Sequence, residues 1–196
     1  DNGLRQIAFL LIPACLVSIV LAEPIVRLVY QRGEFTASDT TIVAQCLQAF
    51  SIGLVFNGWM LILNRSFYAV QSNWIPTAVA LGAVALNAGL SAVFYRFGIW
   101  GIPLATAVVN IAGSVALLVM MRRRVGLESV KHAAGVVARI AVAGVVATGA
   151  AFGAWYVLDD WLGRSAGAQV VSVGAALVAA GLVYAGAARL LGVREL

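Results

Sequence analysis

Charge is what this sequence has least of: Asp, Glu, Lys and Arg occupy only 11% of its 196 positions, where a soluble domain carries about a quarter. That shortage excludes an ordinary water-covered surface. Histidine is nearly absent too. The single one, His132, stands beside Lys131 in a basic stretch with no acid or nucleophile placed to make it a general base, so it reads as a solvated loop residue. The two cysteines, Cys15 and Cys46, fall in apolar runs, where a thiol behaves as a small hydrophobe; they offer neither a disulfide framework nor a metal spacing. There is no G-x-x-x-x-G-K-[ST] and no G-x-S-x-G, so no enzyme is expected. The net charge of +5 comes from basic residues scattered between apolar blocks, without the basic stripe or interleaved aromatics of a nucleic-acid binder. Asp1-Asn2-Gly3 supplies neither an initiator methionine nor the basic n-region of a signal peptide, so the chain is expected to begin inside a longer protein.

What fills the chain instead is hydrocarbon, at 62% of positions. A helix needs about 20 apolar residues to cross a core roughly 30 Å thick, and six stretches qualify. The first runs from Gln6 to Ala22, extended by Pro24 to Val29 around Glu23 and Arg27. The second runs from Thr40 to Asn64 and continues as amphipathic helix to about Ser72. The others are Pro76 to Tyr95, Gly101 to Met121, Ile140 to Leu158 and Ala166 to Ala188. Short connectors are expected between them, the longest at Arg122 to Arg139 and another at Asp159 to Ser165. The fold class is therefore all-α integral membrane, with neighbours mostly antiparallel.

Local chemistry marks the ends. Thr36 and Asp39 have capping-box spacing at the start of the second span, and Pro76 suits the first turn of the third. Pro13 lies inside the first span, where it removes a backbone hydrogen bond and should kink the helix, which membrane proteins tolerate when neighbours satisfy the freed carbonyl. Trp74, Trp100, Trp155 and Trp161 fall near ends, as an interfacial belt requires.

Alternate sides of the membrane carry unequal basic charge. One side collects Arg5, Arg65, Arg122, Arg123, Arg124, Lys131, Arg139, Arg189 and Arg194; the other has Arg27, Arg32, Arg96 and Arg164. The richer side is predicted to face the cytoplasm, which puts both chain ends there and the Arg32-Gly33-Glu34-Phe35 and Asp159-Asp160 turns outside. Composition shifts after Arg124: four polar-bearing spans give way to two built mostly of Ala, Gly and Val. The chain is therefore divided into residues 1–124 and 125–196.

Polar groups inside spans cost free energy unless paired or wet, so they are the candidates for function. Asn57 and Asn64 share a face with Arg65 beside them; they either line an aqueous cavity or bridge helices, with Arg65 snorkelling to the surface. Asn87 and Thr106 either coordinate a small cation or hydrogen-bond between helices. Glu23 and Arg27, four apart, are placed to pair. Gly149 and Gly153 form G-x-x-x-G, a pattern that permits close helix contact.

The run Ile12-Pro13-Ala14, then Glu23-Pro24-Ile25-Val26-Arg27-Leu28-Val29-Tyr30-Gln31-Arg32-Gly33-Glu34-Phe35-Thr36, then Asp39-Thr40, resembles the MurJ/MviN family, in which a helix is followed by E-P-I-V-R-L-[LVI]-[YF]-x-R-G-x-F-[TD]-x-x-D-T. Ser66-Phe67-Tyr68-Ala69, Pro76-Thr77, Leu86-Asn87 and Gly101-Ile102-Pro103-Leu104-Ala105-Thr106 are similar to that family's next helices. The resemblance implies the C-terminal lobe of a MOP/MATE-like transporter plus a final helix pair, equivalent to helices nine to fourteen. It also implies translocation of lipid II, the undecaprenyl-diphosphate-linked muropeptide, across the bacterial cytoplasmic membrane by alternating access, with the N-terminal helices and membrane lipids as partners. Some members are implied to hold sodium through an N-x-x-x-[ND] face and a threonine. Asn87 and Thr106 match two of those positions, while Ala83 stands at the third. The R-G-E-F turn separates the chain from polysaccharide and drug exporters of the same superfamily; a membrane anchor or assembly module without transport is the reading from another class.

Overall fold

The computed structural model describes residues 2–31, 35–69, 71–125, 128–163 and 166–190. Apart from one short 3-10 turn at Tyr95–Phe97, its regular structure is α-helical: α1 Asn2–Val20, α2 Ala22–Tyr30, α3 Ala37–Ala69, α4 Trp74–Phe94, α5 Gly101–Val125, α6 Glu128–Leu162 and α7 Ala166–Leu190. Six of these, all but α2, are long and apolar enough to cross a membrane. The molecule is a multi-pass membrane protein.

Most departures from the sequence reading lie at helix ends. The long connector expected from Arg122 to Arg139 is helix over nearly its whole length, with α5 running on to Val125 and α6 beginning at Glu128. Charge there marks where the chain leaves lipid and not where the helix stops, because Glu, Lys, Arg and Ala are all good helix formers. His132 is thus part of α6 and not of a loop, although its side chain lies outside the described residues. Likewise Asp159 and Asp160 belong to the last turn of α6. That helix ends only at Gly163, whose φ of +73° suits glycine as a C-terminal cap, and whose N–H reaches the Asp159 carbonyl at 3.2 Å. The second span stops at Ala69, short of Ser72. Gln71 follows with φ of 55°, a left-handed conformation that cannot continue the helix.

The first span breaks, but not at Pro13, through which α1 runs unbroken. The interruption falls at Leu21, with φ −95° and ψ 16°, just upstream of Pro24. A proline there cannot donate to the Val20 carbonyl, so the ladder is weakest at this point.

Packing sets the lateral order α4, α5, α3, α1, α6, α7, each helix lying mainly against its neighbours in that row. Hence α1 is sandwiched between α3 and α6. Its Ala8 packs with Ile140, Ala143 and Ala147 of α6 and with Tyr184 and Ala188 of α7, and its Val17, with Leu21 just beyond the helix end, packs with Ala151, Ala176 and Ala180. On the other side Leu63 and Phe67 of α3 meet Leu117 of α5. At the edge of the row, α4 has Pro76 as its one buried residue.

The thiol of Cys15 donates to the Ser51 carbonyl at 2.8 Å, as a buried packing group. The capping box forms as expected: Thr36 N–H and Oγ1 both donate to Asp39 Oδ2, at 2.9 and 2.6 Å, and Asp39 N–H reaches back to Thr36 Oγ1 at 3.4 Å. Of the expected interfacial tryptophans, Trp74 and Trp161 are fully on the surface at helix ends, while Trp155 packs beside Val17 and Leu21. The Arg32, Gly33, Glu34, Arg164 and Arg194 positions, and the side chains of Arg124 and Lys131, lie outside the described residues.

Candidate functional site

Small residues on the facing stripes of α1, α6 and α7 leave a groove between them. Gly144 permits the approach: a Cβ there would stand 3.0 Å from Leu16 Cδ1. The groove encloses about 330 Å3 and is lined by Leu10, Pro13 and Val17 of α1, Ala147 of α6, and Leu177 and Gly181 of α7. Leu10 and Leu177 are strongly exposed, so it is open at the surface of the described bundle. Its chemistry is that of a hydrocarbon chain.

Phe9 and Tyr184 stand at the end nearer the α1 N-terminus. The Tyr184 hydroxyl donates to the Phe9 carbonyl at 2.7 Å, and the two rings lie 5.1 Å apart. Phe9 O is the carbonyl four residues before Pro13, the one a proline leaves without a helical donor. Two further side chains grip the α1 backbone: Trp59 Nε1 donates to Leu4 O at 3.1 Å and Gln48 Nε2 to Ile19 O at 3.0 Å, beside the break at Leu21.

Asn87 and Thr106 do come together, between α4 and α5. Asn87 Nδ2 donates to Thr106 Oγ1 at 3.2 Å, Ser91 Oγ donates to Asn87 Oδ1 at 3.2 Å, and Thr106 Oγ1 donates to Ile102 O at 3.3 Å. Ser91, four residues along the same face, is a member that the sequence reading missed. The group offers three side-chain oxygens and no carboxylate, and each oxygen is already engaged. As it stands this is an interhelical hydrogen-bond chain.

Asn57, Asn64 and Arg65 are not drawn into an enclosed site by the described residues. Asn57 and Arg65 are exposed and Asn64 is half-buried, with its Oδ1 buried and without a hydrogen-bond partner among the described residues. Glu23 and Arg27 pair at 2.7 Å on one face of α2. The G-x-x-x-G of α6 is not used for helix contact within the described bundle: a Cβ on Gly149 or Gly153 meets nothing within 4 Å. They lie on the face of α6 opposite Ala143, Ala147 and Ala151, which carry the packing. The close approaches fall elsewhere, at Gly53 against Ala107 and Gly58 against Leu11 and Ile7.

Tyr184 was not singled out in the sequence, although a signal existed. Pro13 within a span calls for a donor from a neighbouring helix, and Tyr184 is the one tyrosine of the last span.

A family model described as lipid II flippase MurJ matches residues 1–166. A probable lipid II flippase MurJ of Vibrio cholerae is 32% identical over 167 residues, covering 83% of this chain and 31% of that protein. The lipid II flippase MurJ of Thermosipho africanus is 33% identical over 119 residues, covering 60% of this chain and 25% of that one. A relative in Haemophilus influenzae, a probable lipid II flippase MurJ, is 27% identical across 100% of this chain and 38% of its own length. A solved structure of a lipid II flippase MurJ in an inward closed conformation shares the fold, with a TM-score of 0.76 at 23% identity over 97% of this chain and 39% of that one. The chain thus spans between a quarter and two fifths of the length of these proteins.

Proposed function

The chain belongs to the MurJ lipid II flippase family, and from that premise we propose that it is the C-terminal part of a flippase that carries lipid II across the bacterial cytoplasmic membrane for cell-wall synthesis. The observation that carries this reading is the apolar groove along α1, α6 and α7. It is open to the bilayer and suits the polyprenyl tail of a lipid whose diphosphate and sugar must travel through a polar path. In this reading residues 1–124 move as part of the C-terminal lobe against the N-terminal helices of the parent protein, by alternating access. Residues 125–196 shelter the tail. Asn57 and Arg65, both exposed, then face the water-filled space between the lobes, with Asn64 beside them.

Orientation follows the arginines. If the six spans alternate across the bilayer, Arg5, Arg65, Arg122, Arg123, Arg139 and Arg189 fall on one side, and the positive-inside rule assigns that side to the cytoplasm. Both ends of the chain then lie on the cytoplasmic side.

We further propose Asn87 and Thr106 as the place where sodium would act, because these two oxygens and that of Ser91 converge. Hard cations favour several oxygen ligands, so further oxygens from the parent would complete the set. Sodium-stimulated transport that Asn87→Ala abolishes would support this; transport insensitive to sodium overturns it.

Complementation tests the main reading. The full-length parent is expressed in bacteria depleted of their own lipid II flippase, with growth and outward exposure of lipid II as readouts. Rescue is expected. A well-inserted protein that fails to rescue points to another exported lipid-linked saccharide, or to an assembly module.

A further inference from the structure

Pro13 interrupts α1 chemically without interrupting it as a helix. Having no N–H, it leaves the Phe9 carbonyl without its helical donor, and the hydrocarbon core holds no water to replace it. The replacement comes from another helix: Tyr184 of α7 donates to Phe9 O at 2.7 Å. Its ring, 9% exposed, lies against the Phe9 ring at 45°. This bond has positional consequences because α7 packs chiefly on α6 and touches α1 much less. With Pro13, Phe9 and Tyr184 all lining the apolar groove, the bond that repairs the helix also fixes the distance between the groove's two walls.

We propose that Tyr184 is a positioning residue for the lipid tail, holding α7 at the groove width set by its bond to the Phe9 carbonyl. The proposal rests on the reading of the groove as the tail site. Phenylalanine at this position keeps the ring and removes the donor; α7 then pivots on α6, and the groove loses its fit to a single chain. Alanine in place of Pro13 returns an N–H to the Phe9 carbonyl, so the tyrosine is no longer needed to satisfy it.

The test uses the full-length parent reconstituted into phosphatidylcholine vesicles, with two prenyl-diphosphate-linked saccharide substrates, one long-tailed and one whose tail is too short to reach the groove. Tyr184→Phe is expected to raise KM for the long-tailed substrate about fivefold, the equivalent of about 1 kcal/mol for one neutral hydrogen bond. The maximum rate, and KM for the short-tailed substrate, should stay at the wild-type values. Pro13→Ala combined with Tyr184→Phe should keep the raised KM for the long tail, because the new N–H satisfies the Phe9 carbonyl from within α1 and does not tie α7 to it. An equal effect on both substrates, no effect on either, or a double variant restored to wild-type KM would overturn the positioning role while leaving the flippase reading in place. Wild-type protein that moves neither substrate would overturn the flippase reading, and the tail proposal with it.

Discussion

Gly53 shows how single atoms set the spacing of this bundle. A Cβ there would stand 2.6 Å from the Ala107 Cα, so α3 and α5 meet backbone to backbone, and Ala107 is 1% exposed. Gly53→Ala must push the helices apart, at about 1–3 kcal/mol for overpacking. It should lower the thermal-unfolding midpoint in detergent, whereas Gly149→Ala should leave the midpoint unchanged; the reverse ranking would contradict the packing. That small residues matter was legible in the sequence. Which of them matter was not, since periodicity locates a face but does not say what stands opposite it. The Asn87 and Thr106 pair is the converse case, chosen from sequence for its polarity and brought together by the fold. Asn87→Leu should cost about 0.6–2 kcal/mol for the lost interhelical bond. Adding Thr106→Val to that variant should cost little more, because the two share one interaction. Additive losses by thermal unfolding would show that they act separately.

At the scale of elements, hydropathy located the membrane spans because each needs a fixed length of apolar residues, but it was blind to helix that continues into water. Hence α6 begins well before Ile140, carrying Lys131 and Arg139, and α5 runs past Met121. Where side-chain chemistry fixes an end, the sequence was readable: Thr36 and Asp39 form the capping box at the start of α3. Thr36→Ala should leave the first-turn amides of α3 with faster hydrogen exchange, with no change beyond Ala49; unchanged exchange at the first turn would deny the cap its role. The break between α1 and α2 was harder to place. Two prolines are present, and the interior one is tolerated because Tyr184 supplies the missing donor from a residue 175 positions away, a link that no local pattern encodes. The groove shares this limit: its walls come from three helices far apart in the chain.

For the molecule as a whole, the composition shift near residue 125 divides the chain into four polar-bearing spans and a final pair, and α1 packs between α3 of the first part and α6 of the second. Two of the hydrophobic clusters join α1 to both α6 and α7, and Ala8 and Leu21 are wholly inaccessible. In a bilayer, helix association rests on van der Waals packing and interhelical hydrogen bonds, since lipid tails are as apolar as the side chains they replace. Removing everything after Val125 therefore exposes the α1 face to lipid at modest cost, but it also leaves the Phe9 carbonyl with neither the Tyr184 hydroxyl nor a helical donor. A full-length parent truncated after Val125 should still insert. It should unfold at a lower temperature in detergent, and hydrogen exchange should speed up along α1 around Pro13 and Leu21, while α5 amides packed on α3 keep their protection. If exchange along α1 is unchanged by the truncation, the final pair is an independent appendage and α1 belongs to the lobe alone. If it rises as expected, the final pair braces residues 1–124, and the proposed seating of a lipid tail in the groove is mechanically linked to α1.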